Sequence, residues 1–297
     1  MTDTPEFSAP EPIQDAPRPG VIPLRPLGLG EILGGAFLTI RRHPALLLGS
    51  TALVMLISQV LGLIVMLPVL GEFQRILESG LEPNPEEVVP LLLRIGIGAS
   101  VAAVLGVLGQ VFLTGLATIV VSRAVVGKPV TLAEAWVELR PNLLRLLGVS
   151  ILFGLAVLVG AVLCVLPGIW VAVLFSFAMP ALVLERLTVG QAFQRSKALV
   201  RDAWWSTFGI LAAAVGIGWV VNLVLSLPFA NYGFGSAARG GLDAFSTSQY
   251  LFSSVASFLS GVLTYPFISA VVALVYIDRR IIVERLDVQL AQAAEQP

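Results

Sequence analysis

The chain is short of the residues from which most active sites are built. Of its 297 residues one is cysteine, one is histidine and only 12% are charged. A single cysteine, Cys164, can neither close an internal disulfide nor supply a cysteine-rich metal site, and it reads as a small apolar residue within a hydrophobic run. His43 stands between Arg42 and Pro44 without a second histidine for a metal pair, and no serine or cysteine motif gives it a nucleophile to serve. It reads as an interfacial residue. With 18 Lys and Arg against 19 Asp and Glu, spread among loops, the chain presents no basic face for nucleic acid.

Charge is also missing from particular places. The stretches 45–70, 95–122, 146–184 and 206–228, and the run that ends at Tyr276, contain no Asp, Glu, Lys, Arg or His. A charge at the centre of a membrane helix costs about 2.5–3.5 kcal/mol on insertion scales, so chains keep one there mainly for function. Its absence argues against a proton-coupled pump or a channel with a charged filter. A passive pore or a lipid pathway, built from backbone and hydroxyl groups, stays open. The spans offer no acid, base or metal set, so no catalytic, cofactor-binding or metal-ligating residue is assigned and the protein is expected not to be an enzyme.

What the chain has in quantity is apolar length. Hydrophobic residues make up 57% and the mean hydropathy is +0.91, values of an integral membrane protein. Each uncharged run is long enough at 1.5 Å per residue for a ~30 Å hydrocarbon core. The run 146–184 is too long for one helix, and Pro167–Gly168 predicts a tight turn that divides it in two. The expectation is an all-α protein with six transmembrane helices over 27–282. It is preceded by a disordered Pro-rich tail at 1–26, with no apolar region to act as a signal peptide, and followed by a short charged tail at 283–297.

Three amphipathic stretches precede apolar runs. Thr188 and Gln191 have the spacing of a capping box ahead of a helix whose one side carries Val189, Phe193 and Val200 and whose other side carries Gln194, Lys197 and Arg201. Trp204 and Trp205 follow, where such a helix meets lipid headgroups. Thr131 and Glu134 repeat the box, and Gly28 and Glu31 repeat it with a weaker cap. The spacing from Glu31 to Gly49 equals that from Gln191 to Gly209, and that from Glu134 to Gly148 is about one helical turn shorter. This pattern predicts a degenerate threefold repeat of surface helix and membrane hairpin. Placing both termini and the loops at 123–145 and 185–204 in the cytoplasm leaves only Arg75, Arg94 and Arg239 of the 18 basic residues outside. The surface helices are then cytoplasmic, and Arg41, Arg42, Arg195, Lys197 and Arg201 become candidate contacts for anionic lipid headgroups.

The polar residues left within the runs are Gln59, Gln110, Asn222 and a hydroxyl row at Ser253, Ser257, Ser260 and Thr264. Gly98, Ala102 and Gly106 lead to Gln110 at four-residue spacing, and Ala212–Gly216 and Ala214–Gly218 repeat the spacing. Small residues let helices approach and amides or hydroxyls then bond across, so Gln59, Gln110, Asn222, Ser257 and Thr264 are candidates for intramembrane packing. Their alternative use is to line a polar cavity. Pro180 and Pro266 are candidate kinks. The acidic stretch EPNPEE at 82–87 lacks the Gly and alternating oxygen ligands of a calcium loop and reads as solvated.

Three passages, GVIPLRPLGLGEILGGAF with IRRHP after it, AFQRSKALVRDAWWSTFGI, and YIDRRIIVERLDVQLA, resemble the glycerophosphoryl diester phosphodiesterase membrane-domain family of bacterial polytopic proteins. The phosphodiesterase barrel that gives that family its name uses paired histidines, carboxylates and a divalent metal. One histidine and no soluble region of sufficient size exclude it here, so the resemblance implies the membrane module alone, in a bacterial inner membrane. The functional expectation is a scaffold or accessory subunit whose partners are membrane lipids and a membrane protein. A transporter of lipids or glycerophosphodiesters, a class often built from repeats, is the alternative.

Overall fold

A computed structural model describes residues 21–22, 25–78, 85–228 and 247–284. Most of the Pro-rich tail, the middle of the acidic segment, most of the Gly- and Ser-rich loop and the C-terminal tail beyond Glu284 lie outside the described residues. Among those described, 91% are helical and none is in a strand, so the chain is all-α.

The helices are α1 Leu29–Arg42, α2 Pro44–Glu78, α3 Pro85–Val125, α4 Leu132–Leu139, α5 Leu143–Leu163, α6 Val165–Leu174, α7 Ala178–Glu185, α8 Val189–Val200, α9 Trp204–Ser226 and α10 Thr247–Glu284. Six segments are long and apolar enough to cross a membrane: Pro44–Glu72, Val89–Val125, Leu132–Leu163, Val165–Glu185, Val189–Ser226 and Tyr250–Glu284. Glycine contacts set how the longest helices meet. A Cβ on Gly109 of α3 would lie 2.7 Å from Val54 of α2, and Gly98 abuts Val65, so α2 and α3 run antiparallel. Gly261 of α10 abuts Met55 of α2, and the Gln59 amide donates to the Ser254 carbonyl at 3.1 Å, so α10 is antiparallel to α2 as well. On α9, Gly218 faces Thr264 of α10. Gly106 and Gly216 meet nothing, so each small-residue row contributes only part of its length to packing.

Buried side chains gather at one end of this bundle. They run from Val111 to Val125 on α3 and from Ala270 to Ile281 on α10, covered by α1, α4, α7, α8 and the first turns of α5. Away from that end the side chains of α2, α3 and α9 point outward, as Leu53, Ile64, Ile97, Val104 and Trp219 do. An apolar exterior of this extent is what a bilayer covers.

Local chemistry explains where the helices stop. Gly127 adopts φ 73°, and the Lys128 N–H bonds back to the Arg123 carbonyl at 3.0 Å, a glycine-terminated end for α3. Val21, whose N–H donates to the Ala124 carbonyl at 3.2 Å, and Ile22 are buried beside that end, so packed structure starts within the stretch assigned to the tail. The turn expected at Pro167–Gly168 falls instead at the extended residue Cys164, and Pro167 sits in the first turn of α6, where no N–H is needed. Pro180 likewise lies in the first turn of α7, after a break at Phe175–Phe177, whereas Pro266 lies inside α10.

The three helix starts read from sequence exist, closed in different ways. Thr131 and Glu134 form the full reciprocal box at 3.3 Å in each direction. At Thr188 the Gln191 side-chain oxygen accepts from both the Thr188 N–H at 3.0 Å and its hydroxyl at 2.9 Å. At Gly28 only the Glu31 half is possible, and its carboxylate accepts the Gly28 N–H at 3.0 Å.

Candidate functional site

The most densely bonded polar group lies at the buried end, where three helices converge. Glu185 closes α7, Arg195 projects from α8, and Tyr276, Arg280 and Glu284 follow one another at four-residue spacing on α10, so that they share a face. Arg195 Nε donates to both Glu185 oxygens at 3.0 Å, and its Nη2 donates to Glu284. Arg280 pairs with Glu284 at 3.0 Å and with Glu185 at 3.4 Å, while the Tyr276 hydroxyl donates to Glu185. The four charged side chains are 18–26% exposed, which makes these pairs stronger than surface pairs and less costly than fully buried ones. Two arginines neutralise two carboxylates. Such a balanced cluster holds helices together and leaves no charge for a substrate.

Two further bonds tie the same end. The Leu27 N–H donates to the buried carboxylate of Asp278 at 2.8 Å, docking the segment before α1 on α10. Ser196, fully buried on α8, accepts the Phe177 N–H at 3.1 Å and donates to the Leu174 carbonyl at 2.8 Å. It thereby bonds both backbone ends exposed by the break between α6 and α7.

Three surface clefts among the described residues stand out by their linings. One, of about 1040 Å³, lies between the α5–α6 turn and the start of α9, with Leu166, Pro167 and Trp170 on one wall and Arg201, Trp204 and Arg279 on the other. Trp204 stacks on Phe208 at 5.2 Å, meets Trp205 edge-on at 4.7 Å, and donates its indole N–H to the Trp170 carbonyl at 3.3 Å. Arg279 donates to the Ser206 hydroxyl at 2.8 Å. A second cleft of about 900 Å³ is lined by Arg123, Glu134, Glu138, Arg145 and Arg186, with Arg123 bonded to Glu134 at 2.9 Å and to Glu138 at 3.1 Å. The third, about 520 Å³, is apolar. It lies between the α1–α2 junction and α9–α10, with Phe37, Leu48, Val221 and Phe267 in its walls and Arg41 at the junction.

The residues singled out from sequence do not form one site. Asn222 donates to Ser260 at 2.9 Å and joins α9 to α10, and Gln59 joins α2 to α10. Among the described residues Gln110 bonds along its own helix, to Thr114 at 3.2 Å. Ser257 is exposed, and the Thr264 hydroxyl is buried without a hydrogen-bond partner in the apolar cleft. Neither Gln110 nor Asn222 lines any of the three clefts described. Of the basic candidates, Arg41 lies 6.0 Å from the Phe37 ring centre, Arg42, Lys197 and Arg201 are exposed, and Arg195 is spent on the ion cluster. Glu185, Ser196, Tyr276, Asp278 and Glu284 escaped sequence reasoning. Ser196 left one trace there, a lone hydroxyl on the apolar side of α8.

This architecture is that of an all-helical, multi-pass integral membrane protein, with its polar bonding concentrated at one end of an apolar bundle. No protein-family model matches the chain, and no solved structure matches it. Among the described residues no group of three or more His, Cys, Asp or Glu side chains could hold a metal ion.

Proposed function

We propose that the protein is a non-enzymatic scaffold or accessory subunit of a bacterial inner membrane, with both termini and the charged end of the bundle in the cytoplasm. The observation that carries this reading is how the polar groups are used. Asn222 and Gln59 are spent on helix–helix bonds, and Arg195, Arg280, Glu185 and Glu284 on one another. A bundle that satisfies itself in this way supports holding other components in place. The recurrence of a capped short helix before a long apolar one at α1, α4 and α8 supports a threefold repeat. Exposed Arg42, Lys197 and Arg201 are suited to anionic headgroups. The test is purification from native membranes in mild detergent after crosslinking. A reproducible membrane-protein partner is the expected result, and recovery of the chain alone counts against it.

One observation favours a second reading, movement of lipids or glycerophosphodiesters. The 1040 Å³ cleft sets Arg201 and Arg279 beside tryptophans, a combination suited to an anionic amphiphile. Reconstitution with labelled phospholipids and glycerophosphodiesters decides it, and no protein-dependent movement would sink it.

A further inference from the structure

The hairpin formed by α5 and α6 has the length and hydropathy of a membrane crossing, yet both of its ends lie at the same charged end of the bundle. Its base is at Asn142 and Arg145, which line a cleft with Arg123, Glu138 and Arg186. Arg123 closes α3, and Arg186 follows the ion-cluster residue Glu185. Its tip, Leu166 and Pro167, lines the cleft that contains Arg201, Asp202 and Arg279. Arg279 adjoins Arg280 of the ion cluster. Because α3 and α10 both run antiparallel to α2, Arg123 and Arg279 mark the same face of the molecule.

Helix lengths sharpen the point. A 21-residue α5 is about 30 Å long, enough to carry the chain across the hydrocarbon core. After such a crossing the tip would lie a full core thickness away from Arg201 and Arg279, not beside them. Helix α6 has only 10 residues, half of what a crossing needs, and the break at Phe175–Phe177, held by Ser196, separates it from α7. The tip also lacks the chemistry of a loop that emerges into water. Val162, Leu163, Val165 and Leu166 are 66–78% exposed, and no residue from Ala161 to Gly168 carries a polar side chain other than the Cys164 thiol. The chain's other hairpin connections carry Glu, Asn, Asp or Arg.

We infer that α5 and α6 do not cross the bilayer. They form a closed apolar hairpin embedded in one leaflet, with its long axis along the membrane plane and its tip under the headgroups that Arg201, Arg279 and Trp205 face. The spanning helices are then α2, α3, α9 and α10, and the hairpin is the surface by which the protein occupies the acyl-chain region of a single leaflet. Glycine closes it. A Cβ on Gly168 would lie 2.9 Å from the Ala161 backbone nitrogen, so the two helices meet backbone to backbone, and large side chains around the contact such as Leu158, Val162 and Leu166 face outward. This inference concerns topology and stands whichever function is correct.

Cys164, the chain's single cysteine, lies at the tip and is exposed, which makes the native protein its own reporter. In sealed vesicles of each orientation, a membrane-impermeant maleimide is applied to the full-length protein. Two references mark the faces in a Cys164→Ala background, Ala198→Cys on α8 and Ser236→Cys in the loop before α10. Cys164 is expected to react only from the side at which Ala198→Cys reacts, or from neither side. In the same background, Leu166→Cys with Trp205→Cys is expected to crosslink through a bismaleimide far shorter than the ~30 Å hydrocarbon core. Reaction of Cys164 from the Ser236→Cys side overturns the inference and restores a crossing. Absence of the crosslink also overturns it, whatever the labelling of Cys164 shows.

Discussion

The pair α5–α6 and the pair α9–α10 are both close antiparallel helix pairs joined by glycine contacts, and they make opposite use of them. In α9–α10 the contact is glycine against a side chain, Gly218 against Thr264, with an Asn222–Ser260 bond one turn further on. Helix α10 is buried along about half of its apolar stretch and packs on α1, α2 and α3 as well. In α5–α6 the contact is backbone against backbone, Gly160 against Gly168, and the residues from Ile151 to Trp170 point outward on nearly every side. One pair is a pillar of the bundle. The other is an arm whose only neighbour over most of its length is itself. Tight pairing and membrane crossing are separate properties, and hydropathy responds to neither.

The largest expected effect comes from breaking the joint between the two. Glu185 ends α7, the helix that follows the arm, Arg280 and Glu284 end the pillar, and Arg195 connects them. Arg195→Ala leaves two partly buried carboxylates with one arginine, and a loss of about 3 kcal/mol is expected, read as a lower thermal midpoint in detergent. Arg195→Lys, which keeps the charge and loses the fork, should recover only part of it. Equal midpoints for the alanine variant and the parent would mean that the cluster does not couple the two regions.

Next come the glycines. In Gly168→Ala the new Cβ meets backbone atoms of Ala161 at 2.9 and 3.0 Å, which cannot turn aside, and a cost of about 2–3 kcal/mol is expected. In Gly218→Ala it meets Thr264 Cγ2 at 2.6 Å, and Thr264→Ser removes that methyl group. The double variant should therefore regain most of the roughly 1 kcal/mol lost. No rescue by Thr264→Ser would show that the pillar, like the arm, is limited by its backbone. Ser196→Ala falls in the same range, about 1–3 kcal/mol, because it orphans the Phe177 N–H and the Leu174 carbonyl together. Its distinguishing readout is faster hydrogen exchange at Phe177, and unchanged protection there would remove Ser196 as the pin of the break.

Much of this was legible in the sequence because membrane physics writes it there. Uncharged runs gave the long helices, and the caps at Thr131 and Thr188 gave the starts of α4 and α8 to the residue. The Cys164 turn was displaced by three residues because proline marks a helix start as well as a helix end, and single-sequence reading has no way to choose. The ion cluster was illegible for a different reason. Glu284 lies 89 residues from Arg195, and Glu185 and Arg195, though close in sequence, sit on different helices; each read alone is an ordinary boundary charge whose value depends on a partner that only tertiary packing supplies. Asp278 is similar: it sits among arginines in sequence, yet bonds a backbone N–H from the other end of the chain.

The smallest expected effect tests the polar cross-link in the apolar stretch of the pillar. Asn222 donates to Ser260 at 2.9 Å in apolar surroundings, where the alternative to the bond is an unsatisfied amide. That argument suggests a strong bond, but interhelical hydrogen bonds in membranes average only about 0.6 kcal/mol by double-mutant cycle, because the unfolded chain also finds partners there. The cycle of Asn222→Ala, Ser260→Ala and the double variant is therefore expected to give a coupling of about 0.5–1 kcal/mol. The single variants differ in packing, since Asn222 is exposed on the bundle's outer face and Ser260 is buried. A coupling near zero would mean that in this stretch α9 and α10 are held by the packing of Gly218 on Thr264 and not by the amide, and the pillar would there depend on glycine as the arm does.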